Sequence, residues 1–327
     1  MSTFPVIASI LSETDLAQFI KEKYLLKENI DCKLFRTGVN HTYFISDSET
    51  KYVARIYCRN WRTKSEIQEE LQLLLMLKDN DLAVSYPIPD KNGNLIQEIN
   101  APEGLRYAVL FTFAEGKKMR FMSNETCFAI GKVMAKIHTI TEGKKINRID
   151  YNSDALLDQA YDYINSFFPE DLEEMQYIKK INPLITQKFN KNKWSEDQKG
   201  IVHLDIWYDN LSVNKEDEII IFDFDNCGNG ELILDVAYFG KQLFFIESNK
   251  DEYERKFQSF LNGYQQIRSL SDKEIELIPE AGAAIFIFYL GVQAKRFDWS
   301  NIFFTENYIK MFVGRIKNWM DYYETQK

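Results

Sequence analysis

The stretch His203-Leu204-Asp205-Ile206-Trp207-Tyr208-Asp209-Asn210 is followed, after one short connection, by Ile219-Ile220-Ile221-Phe222-Asp223-Phe224-Asp225. The first stretch places a carboxylate ahead of a carboxamide, and the second places carboxylates where a short apolar strand ends. The connection, residues 211–218, contains an apolar segment and then a polar turn. This pattern predicts a β-hairpin with acidic groups gathered at one end.

These residue types suit the transfer of a phosphoryl group with Mg²⁺. A carboxylate can orient and deprotonate an attacking hydroxyl, and hard oxygen ligands can hold the metal on nucleotide phosphates. Carboxylates gathered in one place repel one another unless a cation is present, which itself favours a metal ion. A zinc site is disfavoured, because His41, His138 and His203 have no further His or Cys at ligand spacing.

The arrangement resembles the His-x-Asp-x-x-x-x-Asn catalytic loop and the Asp-containing metal motif of the kinase fold. It is most similar to the aminoglycoside phosphotransferase-like kinases, which include choline kinases, homoserine kinase-like enzymes and a bacterial stress-response Ser/Thr kinase. Leu204 departs from the Gly that these proteins usually carry at its position. The resemblance implies an α+β, bilobal, protein-kinase-like fold. A small antiparallel-sheet lobe (residues 1–113) would bind the nucleotide, and a larger, mainly helical lobe (114–327) would hold the catalytic and acceptor-binding groups.

The combination of motifs assigns roles to four residues. An isolated Asp-x-x-x-x-Asn arises by chance in many chains, so the weight comes from the hairpin and the strand-end Asp that follow it. We predict that Asp205 orients the substrate hydroxyl and accepts its proton. Asn210 and Asp223 are predicted to bind Mg²⁺ on the nucleotide phosphates of ATP. Asp225 is predicted either as an additional metal ligand or as a carboxylate that supports the ligands without binding the metal.

A tight turn separates two predicted strands, residues 32–36 and 42–46, where the kinase fold has its phosphate-covering loop. Gly38 and the small polar Asn40 would let backbone N–H groups approach phosphate oxygens. A single Gly in a hairpin is more often just a turn, and it is the position of this turn in the resembling fold that favours the phosphate-covering loop.

The strand predicted at residues 52–57 carries one cation, Arg55. The resemblance makes Arg55 the residue that holds the α- and β-phosphates, where protein kinases have Lys. The bidentate fork of Arg changes the geometry of that contact. Residues 62–78 are predicted as an amphipathic helix. Glu70 lies on this helix, and the resemblance makes it the residue that orients Arg55, with Glu69 as the alternative. Both glutamates, and Arg55 itself, could instead be solvated.

The apolar strand at residues 107–113 ends in Ala114-Glu115-Gly116. The resemblance makes this the hinge between lobes, where backbone groups that include those of Phe113 and Glu115 would hydrogen-bond adenine.

Residues 226–230 are predicted as a loop. Apolar periodicity predicts helices over residues 12–26, 62–78, 123–138, 152–168, 172–190, 232–245, 251–266, 272–297 and 306–323.

Three polar residues have mainly structural interpretations. His138 is expected to form structural hydrogen bonds, and Asp235 lies near a helix start, where a carboxylate satisfies exposed N–H groups. His203 has two interpretations: it either fixes the loop by bonding to backbone or acts as a base in competition with Asp205. The first is the usual use of this histidine in the resembling family.

Composition limits the possible functions and location. The 327 residues allow two domains or one bilobal one, and 45% apolar residues exclude wholesale disorder. A net charge of −9 argues against nucleic acid and anionic membrane as partners. The four cysteines form no Cys-x-x-Cys, the N-terminus has no secretion signal, and the apolar stretch Ala281–Val292 is expected to be a buried helix. We therefore expect a reduced, cytoplasmic protein.

Three functions remain open at this point. The first is a small-molecule kinase that moves the γ-phosphate of ATP to a hydroxyl, as for homoserine, choline or an aminoglycoside. The second is a Ser/Thr protein kinase, and the third is a non-enzymatic nucleotide-binding module, suggested by Arg55 and Leu204. A cationic acceptor would suit carboxylates and aromatics of the helical lobe, although ordinary solvated helices carry similar acids. The candidates are Asp150, Asp154, Asp158, Trp299 and Glu306.

Overall fold

The computed structural model describes residues 4–26, 30–191, 194–296 and 304–325. Trp299 and the predicted helix end at Phe297 lie outside these residues. The chain divides into two compact units, of which the first runs to Ala114 and the second begins at Glu115. The division lies one residue from the predicted lobe boundary, and the functional role assigned to each lobe stays a prediction.

The first unit is built on one five-stranded antiparallel sheet with the order β1-β2-β3-β5-β4. Two helices, α1 (Glu13–Tyr24) and α2 (Lys64–Asp79), belong to this unit. Each begins at a capping side chain: Ser12 accepts from the backbone of Asp15, and Thr63 forms a reciprocal capping box with Glu66. The strands are β1 (Asp31–Arg36), β2 (Asn40–Ser46), β3 (Lys51–Tyr57), β4 (Gln97–Ala101) and β5 (Gly104–Thr112).

The second unit is mainly helical and contains two small antiparallel sheets, β6-β9 and β7-β8. Its strands are β6 (Lys199–Val202), β7 (Leu211–Val213), β8 (Ile219–Ile221) and β9 (Gly228–Glu231). Its helices are α3 (Asn124–Thr141), α4 (Gln159–Asn165), α5 (Glu173–Lys191), α6 (Ile233–Ile246), α7 (Lys250–Gln265), α8 (Asp272–Lys295) and α9 (Glu306–Thr325).

The predicted hairpin is confirmed, because β7 and β8 pair with Leu211 opposite Ile221 and Val213 opposite Ile219. The predicted loop at residues 226–230 is wrong for its second half, which forms β9. The reason is a close approach of two backbones: a Cβ on Gly228 would lie 2.6 Å from the carbonyl oxygen of Ile149. Glycine in a strand therefore marks tight packing here rather than a loop.

One helical segment differs from the prediction and another agrees with it. The segment predicted as one helix from residue 152 begins with a π-helical turn, Asp154–Asp158, before α4. Among the described residues, α8 alone is long and apolar enough to cross a membrane, but 78% of its most apolar window is buried inside the protein. This burial is what a core helix shows, as predicted for Ala281–Val292.

Candidate active site

The loop that carries the predicted base is held by its backbone. After β6, the N–H groups of His203 and Leu204 donate to the Asp235 carboxylate at 2.8 and 2.6 Å. The Leu204 carbonyl accepts from the hydroxyl of Tyr289 at 2.8 Å. Leu204 has a φ of 58°, the left-handed region that Gly adopts without strain. The departure from Gly therefore places roughly 1–2 kcal/mol of strain in this loop, and these hydrogen bonds restrain its backbone.

Asp235 is supported from the other side by helix α3. His138 Nε2 lies 3.1 Å from the Asp235 carboxylate, and its Nδ1 lies 2.6 Å from the hydroxyl of Tyr264. Both His138 and Asp235 are fully buried. This geometry agrees with the structural roles expected for the two residues.

The geometry of His203 favours its structural interpretation. The backbone N–H of Asp205 donates to His203 Nδ1 at 3.2 Å, so this nitrogen carries no proton. Nε2 then donates to the Phe222 carbonyl at 3.2 Å. Burial is the main cause that lowers the pKa of His203, which keeps the ring neutral. A neutral ring with both nitrogens bonded to backbone links the loop to the end of β8.

Asp205 is contacted by two neutral donors, one on each carboxylate oxygen. The hydroxyl of Tyr238 donates to Oδ1, and the amide of Asn210 donates to Oδ2 at 2.8 Å. The same amide also contacts the Asp205 carbonyl at 3.0 Å. Burial raises the pKa of Asp205 to about 7, and the charge of Asp223 adds to this; Tyr238 and Lys241 act in the opposite direction. A carboxylate in this state can exchange a proton near neutral pH.

The hairpin brings the predicted metal ligands near one another. The backbone N–H of Phe222 donates to the Asn210 carbonyl at 3.1 Å, so Asn210 lies opposite the residue that precedes Asp223. Asp223 has a φ of 65°, which turns the chain sharply after β8. Asp225 is buried, and its carbonyl accepts from the guanidinium of Arg148.

The donor set fits Mg²⁺ better than a softer metal. Within the described ranges, no three His, Cys, Asp or Glu side chains gather as a metal site by themselves. A metal bound here would depend on the Asn210 oxygen, the two acids of the Asp223–Asp225 segment and oxygens of a ligand. Mg²⁺ is usually bound in this way, by one or two carboxylates together with substrate phosphates. The individual ligand roles stay predictions.

In the first unit, the structure brings Arg55 and Glu70 together. Arg55 Nη1 lies 2.6 Å from Glu70 Oε1, and the hydroxyl of Tyr57 donates to Glu70 Oε2 at 3.1 Å. The guanidinium also lies 4.9 Å from the centroid of Phe111. Arg55 is 9% exposed and Glu70 is fully buried, so Glu70 rather than Glu69 orients Arg55. The phosphate contact of Arg55 remains a prediction.

Gly38 lies in the turn between β1 and β2, as predicted, whereas Asn40 was predicted in the same turn and instead belongs to β2. The carbonyl of Gly38 accepts from the Cys58 thiol at 3.3 Å. Asn40 begins β2 opposite Tyr57, and its Oδ1 is buried without a hydrogen-bond partner among the described residues. An unsatisfied buried acceptor of this kind is available to a ligand donor. A role for either residue in phosphate binding stays a prediction.

Phe113 and Glu115 lie on either side of the division between the units. Phe113 follows β5, and its ring packs edge-on to Phe44 at 5.7 Å. Glu115 is exposed at the start of the second unit. Gly116 is required beside it, because its φ is 126° and a Cβ would lie 2.4 Å from the Val213 carbonyl. Contact of this segment with adenine stays a prediction.

Three side chains near Asp205 were not predicted from the sequence: Tyr238, Tyr289 and Lys241. Tyr238 lies one helical turn after Asp235, so helical spacing from that acid was an available signal. Tyr289 reaches the loop from α8, far along the chain, and no local pattern indicated it. Lys241 is 3% exposed on α6.

Comparisons with known proteins agree with the resemblance. The chain matches the phosphotransferase enzyme family over residues 31–270. It is 30% identical over 281 residues to the uncharacterized protein sll1119 of Synechocystis sp., covering 82% of this chain and 74% of that protein. It is 25% identical over 295 residues to a homoserine kinase of Agrobacterium fabrum, covering 88% and 86%. A solved structure of amicoumacin kinase hAmiN in complex with AMP-PNP, Ca2+ and Ami is similar with a TM-score of 0.78 at 19% identity, covering 95% and 94%.

The structural similarity confirms the predicted α+β, kinase-like fold, with a five-stranded antiparallel sheet followed by a mainly helical region. The family match includes the sheet of the first unit as well as the loop of Asp205 and Asn210 and the acids that follow β8. Because this match extends over well more than half of the sequence, the chain belongs to the phosphotransferase enzyme family.

Proposed function

We propose that this protein is an ATP-dependent kinase that transfers the γ-phosphate to a hydroxyl of a small molecule. The observation that carries the proposal is the state of Asp205: a half-buried carboxylate with both oxygens held by neutral donors and a pKa of about 7. Such a group can accept a proton from an attacking hydroxyl at neutral pH. The family match and the homoserine kinase relative support the reaction class.

Asp205 performs the proton transfer in this mechanism. Asn210 and Tyr238 hold its carboxylate in one orientation, so that one oxygen can accept a hydrogen bond from the acceptor hydroxyl. The proton moves to Asp205 as the hydroxyl oxygen forms its bond to the γ-phosphorus, and ADP leaves. Mg²⁺, held by Asn210 and Asp223 with Asp225 close by, would neutralise charge on the phosphates.

Arg55 supplies the phosphate-binding cation in the first unit. Its pairing with Glu70 and its packing on Phe111 fix the direction of the guanidinium. A guanidinium fixed in this way can donate two parallel hydrogen bonds to phosphate oxygens. Backbone N–H groups near Gly38 and Asn40 would add donors for the same phosphates. The AMP-PNP that is bound in the amicoumacin kinase structure supports a nucleoside triphosphate as the donor.

The decisive experiment is an acceptor panel with ATP labelled at the γ-phosphate. The panel contains homoserine, choline, amino alcohols, hydroxy acids, an aminoglycoside and a generic Ser/Thr protein substrate. We expect transfer to at least one small molecule in the presence of Mg²⁺, and its loss in Asp205→Asn. Asp209→Asn is the matched control, because Asp209 belongs to the same loop but pairs with Lys118 at 2.7 Å.

Each outcome separates the open functions. Full turnover by Asp205→Asn would show that Asp205 is not the base. Transfer to the protein substrate alone would support a protein kinase. If ATP binds but is neither hydrolysed nor transferred to any acceptor, the non-enzymatic function is supported instead.

A further inference from the structure

Lys241 of α6 is a buried cation close to the proposed base. Its Nζ lies 4.2 Å from the ring centroid of Tyr238, 4.5 Å from that of Phe286 and 5.6 Å from that of Tyr289. Burying an ammonium is costly unless an anion pairs with it, and aromatic faces offset only part of this cost. Lys241 has no ion pair with any residue in the described ranges. The ammonium therefore forms no direct ion pair in this part of the chain, and Asp205 is the acid whose charge acts on it.

A second cation, Arg315 of α9, packs on the same aromatic cluster. Its Cζ lies 5.7 Å from the ring centroid of Phe245 and 5.8 Å from that of Phe312. The ring of Phe286, which contacts Lys241, lies 5.5 Å from Phe245 and 6.5 Å from Phe312. Arg315 also forms no ion pair with another described residue. Two cations thus contact one group of aromatic rings, and neither forms an ion pair with another described residue.

The two cations influence one another electrostatically. Burial is the main cause that lowers the pKa of Lys241 to about 7, and the charge of Arg315 adds to this, whereas Asp205 opposes it. Like charges repel, and an anion beside them would relieve the repulsion. The cluster is therefore suited electrostatically to an anionic group.

Lys241 is linked to the proposed base, Asp205, through Tyr238. Tyr238 donates from its hydroxyl to Asp205, while its ring face contacts Lys241. Tyr238 thus contacts both the Asp205 carboxylate and the Lys241 ammonium. A molecule whose hydroxyl contacts Asp205 can place an anionic group a few carbon atoms away beside Lys241.

We propose that Lys241 and Arg315 bind a carboxylate of the acceptor, which makes the acceptor a hydroxy acid. This inference rests on the proposed function, because Asp205 would deprotonate the hydroxyl of that same molecule. The planar guanidinium of Arg315 can form paired hydrogen bonds with a carboxylate. A quaternary ammonium is excluded from the aromatic faces around Lys241, since the lysine already covers them and would repel it.

The test measures binding, so that it does not depend on turnover. Two sets of probes are matched in length and differ only in the charge of one end group. The longer set is 4-hydroxybutanoate, 1,4-butanediol and 4-amino-1-butanol, and the shorter set contains the three-carbon equivalents. Dissociation constants are measured by calorimetry on the full chain saturated with Mg·ADP. We expect a hydroxy acid to bind at least about tenfold more tightly than its neutral and cationic partners.

Variants identify the residues responsible. Lys241→Met and Arg315→Met should each weaken binding of the hydroxy acid about tenfold, with no change for the diol. Because Lys241 is buried and its replacement could impair folding, the exposed Arg315→Glu provides an independent test. It should reverse the preference in favour of the amino alcohol. Lys310→Met is the control, since Lys310 is an exposed cation on the same helix that pairs with Glu306 at 3.8 Å.

Several results would overturn the inference: tighter binding of the amino alcohols by the wild type, no measurable binding of either hydroxy acid, or an unchanged order of affinities in Arg315→Glu. Failure of the proposed function has a different signature, namely the absence of Asp205-dependent transfer from ATP to every acceptor. The order of probe affinities does not require transfer, so the two failures are distinguishable.

Discussion

Arg55 in the first unit and Asp205 in the second are both largely enclosed charged groups, but the protein stabilises them differently. Arg55 forms an ion pair with the fully buried Glu70 at 2.6 Å. Asp205 receives hydrogen bonds from the neutral groups of Tyr238 and Asn210, and its pKa is raised to about 7. The first arrangement holds a charge permanently, whereas the second lets a charge appear and disappear. A phosphate-binding cation requires the former, and a base requires the latter.

The largest expected effect comes from breaking the ion pair of the first unit. Glu70→Gln leaves Arg55 buried beside a neutral amide, and removing one partner of a buried pair typically lowers the free energy of unfolding by about 3–5 kcal/mol. Urea-induced unfolding followed by fluorescence measures this change. Glu69→Gln alters the neighbouring residue of the same helix and should change stability by less than about 0.5 kcal/mol. Equal effects of the two variants would show that the Arg55–Glu70 ion pair does not stabilise the buried charge of Arg55.

The next effect tests whether the acids of the second unit hold a metal with the nucleotide. With ATP and Mg²⁺ at about one hundred times the dissociation constant, the wild type should gain about 2.7 kcal/mol of stability. Asp223→Ala should lose this gain, because a proposed carboxylate ligand is removed. Thermal unfolding with and without EDTA measures it. Glu216→Ala, an exposed acid of the same hairpin, is the control. A gain retained in Asp223→Ala would remove Asp223 from the metal site.

A smaller effect is expected from the donor that contacts the base. Tyr238→Phe removes one of the two hydrogen bonds that orient Asp205 while keeping the aromatic ring against Lys241. We expect kcat to fall about tenfold, which corresponds to about 1.4 kcal/mol. The KM for ATP should stay unchanged, because Tyr238 is not proposed to contact the nucleotide. Steady-state kinetics with the preferred acceptor measure both constants, and an unchanged kcat would show that Asn210 alone is sufficient to orient Asp205.

The sequence predicts the contiguous parts of this site better than the parts assembled by folding. Asp205 and Asn210 belong to one loop, and their spacing, together with the hairpin and the strand-end Asp that follow, predicts them. Glu70 was predicted through the family resemblance, with Glu69 as the alternative. Tyr289 reaches the loop from a helix 85 residues further along the chain than Leu204, and no local pattern indicates such a contact. Likewise, β9 was missed because its glycines allow close packing against Ile149, a partner distant in sequence.

The smallest effect extends the comparison to a titrating group of the first unit. His41 of β2 is 5% exposed, and burial, together with the charge of Arg106, lowers its pKa from 6.5 to about 4. Between these values the unfolded chain binds a proton that the folded protein does not. Stability contributed by the neutral His41 is therefore present above pH 6.5 and is lost progressively as the pH falls towards 4. From pH 7.5 to pH 5.5, the free energy of unfolding should fall by about 1 kcal/mol from this group alone.

His41→Phe removes the group that takes up this proton. Urea-induced unfolding at pH 7.5 and pH 5.5 should then show a fall in the free energy of unfolding that is about 1 kcal/mol smaller than in the wild type. The change in the free energy of unfolding with pH is compared, rather than its absolute value, because the phenylalanine also changes packing in the sheet. The same pH dependence in both proteins would mean that His41 is protonated in the folded protein. The first unit would then contain a group that changes charge near neutral pH, as Asp205 does in the second.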